Sequence, residues 1–174
     1  ILIDACNYRM VADVPVGVFL SGGYDSASVT ALLQKDRTEK LKTFTISVPD
    51  IGLDEGPYAK DIAAHFGTNH TEINCTHKEA IDLIGDLPFY YDEPFADSSA
   101  IPTTLVSLAA RKHVTVALSA DAGDEVFAGY NRYDYIQRYG KKINSIPSFL
   151  RSAMAYGMDK VPSNYIPILR NKYN

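Results

Sequence analysis

The residues with the clearest chemical potential lie in FLSGGYDSASV, Phe19 to Val29, where serines, two glycines and an aspartate stand between an apolar run and a helical one. Gly22 and Gly23 have no Cβ, so their amides can approach an anion closely, and the N-terminus of the following helix adds positive potential. Phosphate is the natural guest. Ser21 and Ser26 supply hydroxyl donors, whereas Asp25 would repel a phosphate unless a divalent cation bridged the two. The aspartate therefore argues for magnesium. No glycine-lysine-serine/threonine ending and no GxGxxG occurs, which excludes the two commonest nucleotide loops. A glycine turn ahead of a helix is also a plain structural device, and SGGYDS taken alone fits either use.

The elements that must position this loop follow from periodicity. Val14 to Leu20 is short, apolar and β-branched, as a buried strand requires, and a helix with Ser26 as its cap and Val29, Leu32 and Leu33 on one face should follow. Leu41 to Val48 reads as a second strand. Pro57 to Gly67 is a helix with proline in its first turn and glycine at its end. His70 to Thr76 alternates like a strand, HKEAIDLIG is a short helix, Ile101 to His113 a longer one, and Val114 to Ser119 a further strand. Strands alternating with helices predict an α/β fold: an open parallel sheet with helices on both faces, followed by a helical C-terminal segment. In such sheets ligands sit beyond the carboxyl ends of the strands, which here are the loops after Leu20 and Leu118.

Composition narrows the classes. The 174 residues, 46% hydrophobic and 22% charged, suffice for one ordinary core. No apolar run approaches membrane-spanning length and the first residues show no leader pattern, so a soluble, cytoplasmic protein without membrane contact is expected. Cys6 and Cys75 lack a CxxC spacing and read as buried, reduced thiols; the four histidines lack ligand spacing, so no zinc site is expected. Residues 1–130 hold 9 Lys+Arg against 19 Asp+Glu, and residues 131–174 hold 8 against 2. The basic, tyrosine-rich tail is spread rather than clustered, which favours a solvated or docking helical segment over a nucleic-acid surface. Accordingly 1–130 forms one part and 131–174 its helical continuation.

Four ordered elements carry a resemblance that no single motif would. SGGYDS resembles the SGGxDS pyrophosphate loop of the ATP pyrophosphatase (PP-loop) superfamily, and VPVGVFLSGGYDS resembles its form in glutamine-dependent asparagine synthetases. Gly67, Thr68, His70 and Glu72 match that family's GT-H-E element, and Asp92, Glu93 and Pro94, followed by Asp97 and Ser98, match its D-E-P element. LSADAGDEVFAGYNRY, Leu118 to Tyr133, is similar to the second signature, LSGxGxDExFxGYxRY. The resemblance covers Asp13 to about Tyr133 and implies an adenine nucleotide alpha hydrolase-like fold, with 1–130 a partial synthetase domain.

What the resemblance implies for residues is specific. Ser21, Gly22, Gly23 and Ser26 would grip the pyrophosphate part of ATP, with Asp25 on magnesium. Leu20 would lie under the nucleotide and Ile46 against the adenine, although a core role for both reads identically. Ser119 and Ala120 would close on the phosphates from a second strand, with Asp124 the second magnesium carboxylate and Asp121 managing protons as ammonia attacks. Glu125 fits either this loop or a helix N-terminus that favours an acid. Asp97 and Ser98 would face the acceptor, or simply cap the next helix.

Ala120, Ala122 and Ala128 stand where the family usually has glycine. Positive φ costs an alanine roughly 1–2 kcal/mol, so either the loop is arranged differently or the acceptor differs. The implied reaction is ATP-dependent amidation of a carboxylate through an acyl adenylate, aspartate to asparagine in the simplest case, with ammonia from a glutaminase domain. That domain is expected to lie outside this chain, because Cys6 is internal and close to the loop. A homodimer is a candidate assembly. The alternatives are an amidotransferase of the same family acting on a sugar carboxylate or another metabolite, a nucleotide-binding domain without catalysis, and RNA binding through the basic tail. Retention of Asp25 and Asp124 disfavours the second, and the acidic first part disfavours the third.

Overall fold

The structure, a computed structural model, describes residues 1–49, 54–93 and 97–160, with the backbone alone at Asp159. Pro94 of the D-E-P element and the tail from residue 161 onward lie outside the described residues. The chain divides into two compact units, Ile1–Ala122 and Gly123–Asn174.

In the first unit the order is α1 (Leu2–Arg9), β1 (Val16–Phe19), α2 (Tyr24–Gln34), β2 (Lys42–Ser47), α3 (Gly56–Phe66), β3 (Asn69–Asn74), α4 (His77–Ile84), α5 (Leu87–Tyr90), α6 (Ala100–Ala110) and β4 (Val116–Leu118). The four strands form one sheet in the order β3-β2-β1-β4, and every pairing is parallel. Each expected strand and helix of this region is present, with ends shifted by a few residues. Helices α1 and α5 were not anticipated: each is short, and LIDACNYR and LPFY carry weak helical periodicity.

Alternation along β1 separates the two cores. Val18, fully buried, faces α1 and α2 and packs with Cys6, Leu33 and Leu41. Its neighbour Phe19 faces the other way, with Phe44, Val106, Ala110 and Val114, so α6 covers the opposite face. Phe44 is the largest of the fully buried side chains, and its burial is worth about 1.5–3 kcal/mol relative to exposure. Helices therefore cover both faces of the sheet. Cys6 and Cys75 are buried free thiols.

This wrapping creates a reversal. The chain steps from β1 through α2 to β2 and through α3 to β3, then returns by α4, α5 and α6 to place β4 on the far side of β1. Strands β1 and β4 are paired in register, Val16 with Val116 and Val18 with Leu118, while β1 and β2 pair on the other side of β1. The loops after Leu20 and Leu118 thus emerge side by side at the carboxyl edge, where open sheets leave a crevice.

The second unit contains α7 (Gly123–Phe127), α8 (Asn131–Asn144) and α9 (Ser148–Asp159). Helix α7 ends in a Schellman-type turn: the Gly129 amide donates to the Asp124 carbonyl at 3.0 Å, and Ala128 takes φ 57°. Among the described residues, no helix is long and apolar enough to cross a membrane.

Candidate functional site

The SGGYDS loop is internally tied by one hydroxyl. Ser26 Oγ accepts from the Ser21 amide at 3.1 Å, lies 2.8 Å from Ser21 Oγ, and reaches the carbonyls of Ser21 and Gly23, each at 3.2 Å. Ser21 Oγ in turn accepts from the Gly23 amide at 3.2 Å. The expectation that Ser26 caps α2 is corrected: the N-cap is Gly23, in extended backbone, and Ser26 lies in the first turn with its side chain folded back. A hydroxyl one turn inside the helix reaches the loop that precedes it, which a cap residue pointing at its own N3 amide could not do.

The folding back leaves donors for a guest. The amides of Gly22, Tyr24 and Asp25 donate to no described residue, which for Tyr24 and Asp25 is what the first turn of a helix dictates. Asp25 is half-buried beside them. A single carboxylate next to free amides suits magnesium shared with a phosphate ligand rather than caged by protein alone. Among the described residues no group of three or more His, Cys, Asp or Glu is gathered for a metal. Leu20 is 1% exposed, packs with Ala59 and Ala63 of α3, and donates its amide to the Phe44 carbonyl at 2.8 Å. Ile46 is half-buried against the Phe44 cluster on the α6 face.

From β4 the chain enters Ser119, Ala120, Asp121 and Ala122, with Ser119 and Asp121 exposed and Ala120 half-buried. Ala122 takes φ 72° and Ala128 φ 57°, so both alanines hold the left-handed backbone that glycine favours. The loop keeps a glycine-like path despite the substitutions; Ala120 is not among the positive-φ residues. In the second unit Asp124 lies in the first turn of α7, and a Cβ on Gly129 would overlap its carboxylate. Glu125 accepts from the Tyr130 hydroxyl at 2.7 Å, which holds its carboxyl below the ordinary range, while the Arg132 guanidinium lies 3.9 Å over the Tyr130 ring.

Asp97 and Ser98 are exposed ahead of α6. Asp97 accepts from the Ser99 amide at 2.8 Å, and that bond lowers its carboxyl; its own carbonyl accepts from Ala100. This is a turn ahead of the helix: the N-cap of α6 is Ser99, which makes no side-chain cap bond. Beside it a cavity of about 390 Å³ is lined by Ile84, Leu87, Pro88, Tyr91, Asp92, Glu93 and Ala100.

Two residues escaped the sequence reading, Asp54 and Thr43. Asp54 accepts from Ser47 Oγ at 2.9 Å, the Val48 amide at 3.1 Å and the Gly56 amide at 3.0 Å, and the Gly56 bond is the first cause of its lowered carboxyl. Its place just before a proline-led helix was the available signal. Thr43 Oγ1 lies 2.9 Å from both Thr68 Oγ1 and His70 Nδ1, so the GT-H-E element ties β2 to β3 just after α3 stops at left-handed Gly67.

Fold and loops together define an α/β protein whose candidate site lies at the switch point of a parallel sheet. Comparison gives the class a family: the asparagine synthase family model matches residues 1–170, and the chain belongs to that family. It is 42% identical over 158 residues to the putative asparagine synthetase [glutamine-hydrolyzing] 2 of Methanocaldococcus jannaschii, covering 87% of this chain and 29% of that protein. Likeness to asparagine synthetase [glutamine-hydrolyzing] 1 of Bacillus subtilis is 39% over 132 residues, 76% of this chain and 21% of that one. For asparagine synthetase B [glutamine-hydrolyzing] of Escherichia coli it is 33% over 146 residues, 74% and 26%. The chain thus spans less than a third of the length of each of these relatives.

Proposed function

We propose that the chain is the ATP-handling part of a cytoplasmic ligase that amidates a carboxylate, with aspartate as acceptor and asparagine as product. The observation that carries this reading is the Ser26-tied loop at the end of β1, whose Gly22, Tyr24 and Asp25 amides donate to no described residue, beside the loop that leaves β4. Ser21, Gly22, Gly23 and Ser26 hold the pyrophosphate part of ATP, joined by Ser119 and Ala120, while the backbone near Leu20 and Ile46 receives the nucleoside. Asp25 and Asp124 are the carboxylates that would hold magnesium, which when bound would neutralise charge on the phosphates.

The acceptor carboxylate, oriented by Asp97 and Ser98, attacks the α-phosphorus; the bond to the bridging oxygen breaks and pyrophosphate leaves. Backbone amides of the loop stabilise the charge that grows on that leaving group. Ammonia from a glutaminase domain then attacks the acyl carbon, AMP departs, and Asp121 takes the surplus proton. Ala122 and Ala128 keep the left-handed backbone that glycine favours, which supports a loop path like the family's; Ala120 does not take it.

Exchange of labelled pyrophosphate into ATP, measured with a panel of carboxylates on the chain and on a relative-length protein containing it, tests the reading. Exchange dependent on aspartate is expected. Exchange with a sugar carboxylate but not with aspartate would redirect it to another acceptor, and none with any carboxylate would end it.

A further inference from the structure

We propose that Asp54 is a positioning residue for the phosphate loop, acting through the first turn of α3. The inference rests on the reading of Leu20–Ser26 as the phosphate site and adds a residue to it. Three donors converge on the Asp54 carboxylate: Ser47 Oγ and the Val48 amide from the end of β2, and the Gly56 amide from the first residue of α3. One side chain thereby clamps the helix start to the strand end. The junction is tight, since a Cβ on Gly56 would lie 2.7 Å from Ser47 Cβ.

The clamped turn supports the loop. Two residues along from Gly56, Tyr58 lies against Gly22, where an added Cβ would stand 2.9 Å from Tyr58 Cβ. One residue further, fully buried Ala59 packs with Leu20, immediately before Ser21. The first turn of α3 therefore touches the loop on both sides of Ser21. Gly22 is glycine because α3 stands too close for a side chain, and α3 stands there because Asp54 holds it. A displaced helix start would relax the Gly22 backbone and misalign its amide toward a phosphate oxygen.

The experiment uses the intact 174-residue chain, with backbone amide spectra and calorimetric titration of magnesium ATP, magnesium pyrophosphate and adenosine. Asp54→Ala should move the Gly22 and Gly23 amide resonances and weaken ATP and pyrophosphate by about tenfold, with adenosine changed by less than about twofold. Asp54→Asn keeps an oxygen acceptor for the Val48 and Gly56 amides and should restore most of the pyrophosphate affinity. A merely structural aspartate would lower the unfolding midpoint and leave this split between pyrophosphate and adenosine absent. Should Asp54→Ala fail to fold, Ser47→Ala removes one donor and should still weaken pyrophosphate measurably more than adenosine. Unchanged Gly22 and Gly23 resonances, or undiminished pyrophosphate binding in a folded variant, would overturn the role of Asp54 alone. A parent chain that binds neither ATP nor pyrophosphate would overturn the phosphate site itself, and the role with it.

Discussion

The hydroxyl oxygens of Ser21 and Ser26 stand 2.8 Å apart, and the Ser26 oxygen also accepts from the Ser21 amide. Ser26 is 7% exposed, so this oxygen is a buried hub for the turn between β1 and α2. It links strand end and helix start.

Ser26→Ala leaves the Ser21 amide without its acceptor, and a lost partner for a mostly buried donor costs about 1–3 kcal/mol. A lower denaturant midpoint with an unchanged slope is the expected result. An unaltered midpoint would mean that water replaces the hydroxyl and that the turn does not depend on it.

Ala122 and Ala128 hold positive φ, at 72° and 57°. Glycine relieves that strain but adds freedom to the unfolded chain, so Ala122→Gly and Ala128→Gly should each stabilise by about 1 kcal/mol. Thermal unfolding of the two variants decides the matter, since a fall in both midpoints would contradict the left-handed assignment.

Burial is the main influence holding the His70 imidazole below its ordinary 6.5; the Glu72 carboxylate opposes it and the Lys60 ammonium assists. The folded state then binds fewer protons than the unfolded one between the depressed value and 6.5. The associated stability is complete above that upper limit and is lost as pH falls through the window. Stability measured in urea from neutral to mildly acidic pH should decline in the parent and lose that slope in His70→Gln. The lowered carboxyls of Asp54 and Asp97 act in a separate, more acidic window, below their ordinary 3.8.

Asp25→Asn should depress pyrophosphate exchange far more than it weakens ATP binding, because charge neutralisation by the metal matters most as pyrophosphate leaves. A loss of about a hundredfold or more in exchange is expected, in line with removal of one transition-state charge contact. Equal exchange in variant and parent would show that Asp25 holds no metal used in the reaction.

Much of the fold was legible in the chain because its signals are local. A β-branched run ending in glycines, a proline-led helix ending in Gly67 and alternation in HTEINCT each specify an element from within a few residues. Alternating order then implies a parallel sheet, and the loop after Leu20 falls at its carboxyl edge. SGGYDS was recognisable for the same reason: its residue types and spacing are contiguous.

What depended on how neighbouring elements meet was not legible. Whether Ser26 caps its helix or turns back to Ser21 depends on the approach angle of β1, which packing of Val18 and Leu20 against α2 and α3 decides. Asp54 is one carboxylate among many in the sequence and gains its role only when Ser47 and Gly56 are brought to it. The left-handed paths at Ala122 and Ala128 run against the alanines' own preference, so the surrounding chain imposes them. Local periodicity and residue chemistry set the four strands, the main helices between them, their order and the anion-seeking loop, but not the short helices α1 and α5. Tertiary structure decided which donors the loop leaves free and what holds it in place, because those depend on contacts between elements that no local pattern encodes.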